Sequence, residues 1–150
     1  MNRLCILLAF VFVFTACVAV PTKNQPEAYT QSAVRDAIRR YEQDGKDAVL
    51  AYYSDPQRFD GQWYVFILDG EGYTIASPYN FTIGFGPSDR YDATGYYYGD
   101  DLVSATEEGK WISYVFFNPE TDKEERKHTW IVRHDGLYFG SGFYKKQEQR

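Results

Sequence analysis

Apolar residues recur along this chain in two rhythms. Between Glu27 and Gln43, Ala33, Val34, Ala37, Ile38 and Tyr41 return at steps of three and four, which gathers them on one face of a helix. Gly45 interrupts that period, and "KDAVLAYYSDP" predicts a second short helix ending before Pro56. From "GQWYVFILDGEGYTIAS" onward the pattern is that of strands. Trp63 to Leu68 and Tyr73 to Ala76 are expected to pair through the turn residues of "DGEG". Residues 77 to 110 are rich in turn formers, with a short helix expected in "DDLVSATEEG". An insertion of this length between strands is either functional or disordered, and its many tyrosines and phenylalanines argue against disorder. Three further strands follow, Lys110 to Phe117, Arg126 to Arg133 and Leu137 to Tyr144, linked by "NPETDKEE" and by the hairpin signal "HDG". The order predicts an α+β domain. Its N-terminal helix should pack on a roughly five-stranded antiparallel sheet, with a long insertion between strands 2 and 3. In the first strand, Trp63, Val65 and Ile67 share one side and Tyr64, Phe66 and Leu68 the other; both sets are apolar, so the sheet is expected to be covered on both faces.

The N-terminus belongs to a different pattern. Arg3 precedes an unbroken apolar stretch, Leu4 to Phe14, of signal-peptide length. "FTACV" then resembles the lipobox of bacterial lipoproteins, which implies lipidation at Cys17; Phe14 replaces the usual leucine of that motif. Plain cleavage or an uncleaved anchor are the alternatives, with Leu4 to Val20 only marginally long enough to span a bilayer, which needs about 20 residues. Residues 1–16 are thus expected to form a lipoprotein signal peptide, 17–27 a linker, 28–145 the folded domain and 146–150 a polar tail. This organisation places the domain outside the cytoplasm, held to the cell envelope by its acyl chains and facing the periplasm or the cell surface.

Composition narrows the function. Both cysteines, Cys5 and Cys17, lie in or beside the leader, so the domain has neither a disulfide nor thiol chemistry and must rely on its core. The formal charge is −5, and −6 once Arg3 leaves with the signal peptide, which argues against nucleic acid or an anionic membrane surface as a partner. Fourteen tyrosines suit a pocket whose walls are apolar but carry hydroxyls. No nucleophile elbow, zinc-protease helix or phosphate loop is present, and His128 and His134 have no nucleophile between them; the reading is therefore of a protein that is not an enzyme and needs no cofactor. Asp89, Asp92, Asp100 and Asp101 offer oxygen ligands, but at no Ca²⁺-loop spacing, and aspartates beside glycines ordinarily make turns, so no metal is expected.

Three features together resemble the single Cache domain: the strand-turn-strand "YVFILDGEGYTIAS", the "GKWISY" strand, and the "KHTWIV" strand followed by "GLYFGSGFY". The resemblance runs over about residues 28 to 145. It implies a PAS-like extracytoplasmic module that binds a small molecule, as in bacterial chemoreceptors and sensor kinases. The chain departs from receptor members in showing no downstream apolar segment and no output domain. The expected partners are accordingly a small carboxylate or amino-acid-like ligand, a membrane receptor or kinase that takes up the information, and the membrane through the lipid.

Binding is the chemistry this pattern favours. Tyr64 and Phe66 on the first strand, Trp111 and Tyr114 on the third, Trp130 on the fourth and Tyr138 on the last are the candidate pocket residues, each with a place in an ordinary core as its alternative. Lys127 is the sharpest candidate. It shares a strand face with Thr129 and Ile131, while His128 and Trp130 point the other way. The resemblance implies a ligand-holding lysine at this place in the fourth strand, here against a carboxylate. Pairing with Asp69 or Glu124, or extension to solvent, are the competing fates. Two other functions stay open: an envelope interaction protein with a Cache-like fold and no working pocket, and sugar binding by the tyrosines of "GYYYG".

Overall fold

A computed structural model describes residues 20–145. The leader, the lipidation residue Cys17, the start of the linker and the tail 146–150 lie outside those residues.

Helix α1 spans Pro26–Asp44 and α2 spans Lys46–Tyr53. Proline in the first turn of α1 presets its backbone for helix. Gly45, at φ 85°, ends α1 and begins α2 in a backbone conformation that only glycine adopts easily. Five antiparallel strands follow: β1 Val65–Leu68, β2 Thr74–Ala76, β3 Lys110–Asn118, β4 Lys123–His134 and β5 Leu137–Tyr144. Their order across the sheet is β2-β1-β5-β4-β3. The last strand of the chain thus lies at the centre, between the first strand and the β3–β4 hairpin. Asp135 and Gly136, at φ 48° and 73°, form the two-residue left-handed turn that joins β4 to β5.

Two strand boundaries differ by more than one residue from the sequence reading, each for a physical reason. Trp63 belongs to an isolated bridge with Asp60 instead of to β1, because its ring turns toward α1, where its indole N–H donates to Thr30 Oγ1 at 3.0 Å. β4 begins at Lys123, three residues before the expected start. The charged run there does lie in solvent, yet its backbone continues the ladder with β3 out to the Asn118–Lys123 pair. Ladder hydrogen bonds need no apolar side chain.

Two cores result. On one face α1 and α2 cover Val65, Ile67, Leu137 and Phe139 with Val34, Ala37, Val49 and Tyr53. On the other face Tyr64, Phe66, Leu68, Ile112, Tyr114, Ile131 and Tyr138 are covered by the insertion, through Tyr98, Leu102 and Ala105. The insertion contains two single 3₁₀ turns and α3, Gly99–Val103. Burial of every residue of β1 is the structural form of its doubly apolar pattern.

Candidate functional site

The second core contains a cation. Lys127 lies on β4 directly between Tyr114 of β3 and Tyr144 of β5. It is only 1% exposed, the largest fully buried side chain among the described residues. Its path is opened by a glycine. A Cβ on Gly142 would stand 2.6 Å from Lys127 Cε, and one on Gly140 would stand 2.3 Å from Phe66 Cζ. The two glycines of "GSG" therefore keep the centre of β5 bare on this face, so that Lys127 and Phe66 can lie across it. Between them Ser141 points to the other face and donates to the Tyr64 carbonyl at 2.8 Å.

The lysine ends among aromatic rings. Its Nζ donates to the Tyr64 hydroxyl oxygen at 2.7 Å and lies 3.9 Å from the centroid of that ring. Phe116, Phe66 and Tyr144 stand at 5.3, 5.4 and 5.7 Å. No carboxylate pairs with it among the described residues. Asp69 accepts from the backbone N–H groups of Glu71 and Tyr73 instead, and Glu125 is held by Asn118 and Thr121. Nor can the tyrosines supply the charge. Burial pushes the Tyr64, Tyr114 and Tyr144 hydroxyls well above the ordinary phenol range, so all three stay neutral. Cation–π contacts are worth about 2 kcal/mol when desolvated. Withdrawing an ammonium from water costs several kcal/mol, so desolvation wins, and the Lys127 ammonium falls well below the usual lysine range.

A second cation lines the same space. Arg90, 7% exposed, comes from the insertion and was not among the sequence candidates. One of its terminal nitrogens donates to the Gly72 carbonyl at 3.2 Å, to Thr74 Oγ1 at 2.8 Å and to the Phe85 carbonyl at 3.0 Å. Its Nε–H is buried without a hydrogen-bond partner. The only sequence signal for Arg90 is a lone cation inside an aromatic insertion; nothing in the pattern gives its direction.

Lys127 and Arg90 line one narrow cavity together with Tyr64, Phe66, Tyr98, Tyr114 and Phe116, and the hydroxyls of Thr74, Ser77 and Thr82. Tyr98 stacks flat on Tyr114, with centroids 4.0 Å apart and planes 2° apart. About 20 Å³ is open to the centre of a water-sized sphere, room for about one water. A roomier groove of about 360 Å³ lies on the other face, where α1 and α2 meet β1. Its charges are matched and half-exposed: Arg39 with Asp36, Arg40 with Asp44, Arg58 with Asp55, and Asp60 with Lys23. The small cavity is the stronger site because its cations are buried and unmatched.

The structure brings Tyr64, Phe66, Tyr114 and Lys127 together and separates the remaining candidates from them. Trp111 and Trp130 are cross-strand partners on the opposite face, in contact with each other, and Trp111 also meets Phe143. The strict alternation of strands forbids Trp111 from sharing a side with Tyr114, three residues away. Tyr138 lies on the correct face but at the far end of β5, where it donates to the Val103 carbonyl at 2.9 Å beneath α3. The tyrosines of "GYYYG" do not form a flat platform: Tyr98 turns inward, and Tyr96 and Tyr97 donate to Asp101 and Asp100. Asp92 organises the insertion by accepting from the N–H groups of Thr94, Tyr96 and Val115 and from the Thr94 hydroxyl. Burial opposes its ionisation, yet those four donors hold it at about 2. Among the described residues no three His, Cys, Asp or Glu side chains converge as metal ligands, and no helix is long and apolar enough to cross a membrane.

The comparisons agree with this architecture. A comparison with curated proteins gave no match. A methyl-accepting chemotaxis protein from Vibrio parahaemolyticus superposes with a TM-score of 0.64 at 19% identity, over 81% of this chain and 87% of that one. The periplasmic sensor domain of a chemotaxis protein gives 0.60 at 20%, over 77% and 88%. A Cache chemosensory domain, described as recognising carboxylic acid, gives 0.64 at 19%, over 78% and 91%. The family model for Single Cache domain 2 matches residues 28–144, so that this chain belongs to the single Cache domain family.

Proposed function

We propose that this protein is a lipid-anchored, extracytoplasmic Cache domain that binds a small monocarboxylate between Arg90 and Lys127 and passes its occupancy to a membrane partner. Cache domains bind small molecules and sit in chemoreceptors, and that membership supports the sensory role. One observation carries the choice of ligand: two buried basic side chains, Lys127 and Arg90, face one cavity, and neither takes part in an ion pair among the described residues. A ligand carboxylate supplies the missing charge. It also supplies an acceptor for the Arg90 Nε–H, whose burial without a partner costs about 1–3 kcal/mol. Tyr64, Phe66 and Phe116 would hold the short apolar remainder, and since the cavity has room for about one water, a ligand of two or three carbons demands the smallest shift of its walls. Lipidation at Cys17 and delivery to a receptor or kinase belong to the same reading, supported by the lipobox and by the extracytoplasmic setting of the family.

A second reading, an envelope interaction protein whose Cache fold has no working pocket, draws on that same narrowness. A thermal-shift panel of acetate, propionate, lactate, amino acids, amines and sugars separates the two. A ligand at 100 times its Kd adds about 2.7 kcal/mol of stability. The carboxylate reading expects such a shift with a monocarboxylate and its loss in Lys127→Met. A folded protein that ignores the whole panel contradicts it.

A further inference from the structure

The buried lysine has a consequence for how an anion enters, and it rests on the carboxylate reading above. Every element around Lys127 is accounted for. Tyr64 stands just before β1, β1 contributes Phe66, β3 Tyr114 and Phe116, β5 Tyr144, and the insertion Arg90 and Tyr98. On its own strand, Thr129 Oγ1 is committed to the Tyr114 hydroxyl at 3.0 Å and Glu125 to Asn118 and Thr121, while His128 stacks on Phe143 on the opposite face. The neighbourhood therefore holds neutral phenols, apolar rings and one guanidinium. The Tyr64 oxygen and the aromatic rings favour an ammonium by less than its burial opposes it.

A carboxylate reverses that balance. Its negative charge, brought within reach of Nζ in a dry space, favours the ammonium strongly. Small carboxylic acids are ionised at neutral pH, so the added proton must come from solvent. We propose that the site binds its carboxylate together with one proton, Lys127 passing from amine to ammonium as the anion enters, so that the domain reads carboxylate concentration and acidity jointly. The balance is simple: amine, carboxylate anion and one proton give an ammonium–carboxylate pair, and no bond to carbon changes. Linkage fixes the sign. Between the Lys127 values of the free and the occupied site, affinity rises tenfold for each unit by which pH falls; below the free value it is flat.

Titration calorimetry of the purified protein with acetate and propionate, at pH 8.5 in two buffers of different ionisation enthalpy, counts the protons. The expected result is close to one proton taken up per carboxylate. Alongside it, the Lys127 ¹³Cε resonance, assigned by its loss in Lys127→Met, should cross from its amine to its ammonium position on adding acetate. Saturable binding with no proton uptake, or with uptake while that resonance stays still, overturns this inference and leaves the carboxylate site standing. Absence of heat and of thermal shift with every carboxylate overturns the site, and this inference with it.

Discussion

Lys127 is buried without a charged partner among the described residues, which is expected to destabilise the ligand-free core, and that sets the first prediction. Replacing it with methionine keeps the length and apolar stem while removing a poorly hydrated amine. Lys127→Met should raise the stability of the ligand-free protein by about 1–3 kcal/mol at pH 7, read as a higher Tm. The pH dependence follows from the sign of the shift. A lysine whose folded value lies below its unfolded value of 10.5 leaves the unfolded chain binding more protons in between, so wild-type stability rises with pH through that window. The advantage of Lys127→Met should therefore shrink toward pH 10. An advantage that is constant with pH would show that the lysine is not buried as an amine. Trp111 supplies the opposite kind of test. Because it faces away from the cavity, Trp111→Ala should leave carboxylate affinity within about twofold, measured by the same titration.

At the scale of elements, two devices build the site, a bare strand and a pinned insertion. β5 presents glycine twice on its cavity face. Gly142→Ala would set a methyl group 2.6 Å from Lys127 Cε and 2.8 Å from the His128 carbonyl. The backbone cannot yield easily, so a loss of about 1–3 kcal/mol in denaturant unfolding is expected, with weaker carboxylate binding. Asp92 pins the insertion that carries Arg90. Asp92→Asn removes the charge that four donors share and should cost about 2 kcal/mol, with faster amide exchange in residues 90–97. An aspartate held at about 2 contributes stability above its unfolded value of 3.8 and loses it as pH falls toward 2. That acid sensitivity should be absent from Asp92→Asn. These elements also show how far pattern reading reaches. The helices, the "HDG" hairpin and the face that Lys127 shares with Thr129 and Ile131 follow from local periods and turn chemistry, whereas the period alone leaves open whether that lysine turns inward or reaches solvent. The purpose of "GSG" and of Asp92 does not follow from them, because each acts on a partner distant in sequence: Gly140 on Phe66, and Asp92 on the Val115 N–H.

For the whole molecule, the sheet divides labour between its faces. Helices α1 and α2 close one side with aliphatic and aromatic residues, and the insertion closes the other over two unmatched cations. The first division was legible, since both alternate sets of β1 are apolar. The second was only half legible. Lys127 stood out as a cation in an apolar strand, whereas Arg90 sat among turn residues with no period to orient it. The error of placing Trp111 beside Tyr114 came from reading aromatic character without strand parity. A sensory role requires that occupancy alter the molecule, and a cavity with room for about one water must widen to hold a larger ligand. The central claim is that Arg90 and Lys127 together hold one carboxylate. A crystal structure of the protein grown with millimolar acetate or propionate tests it most directly. The account predicts one carboxylate with its oxygens within about 3 Å of both Lys127 Nζ and the Arg90 guanidinium. A carboxylate seated in the groove beside Arg40 and Arg58, or one touching neither buried cation, would contradict it.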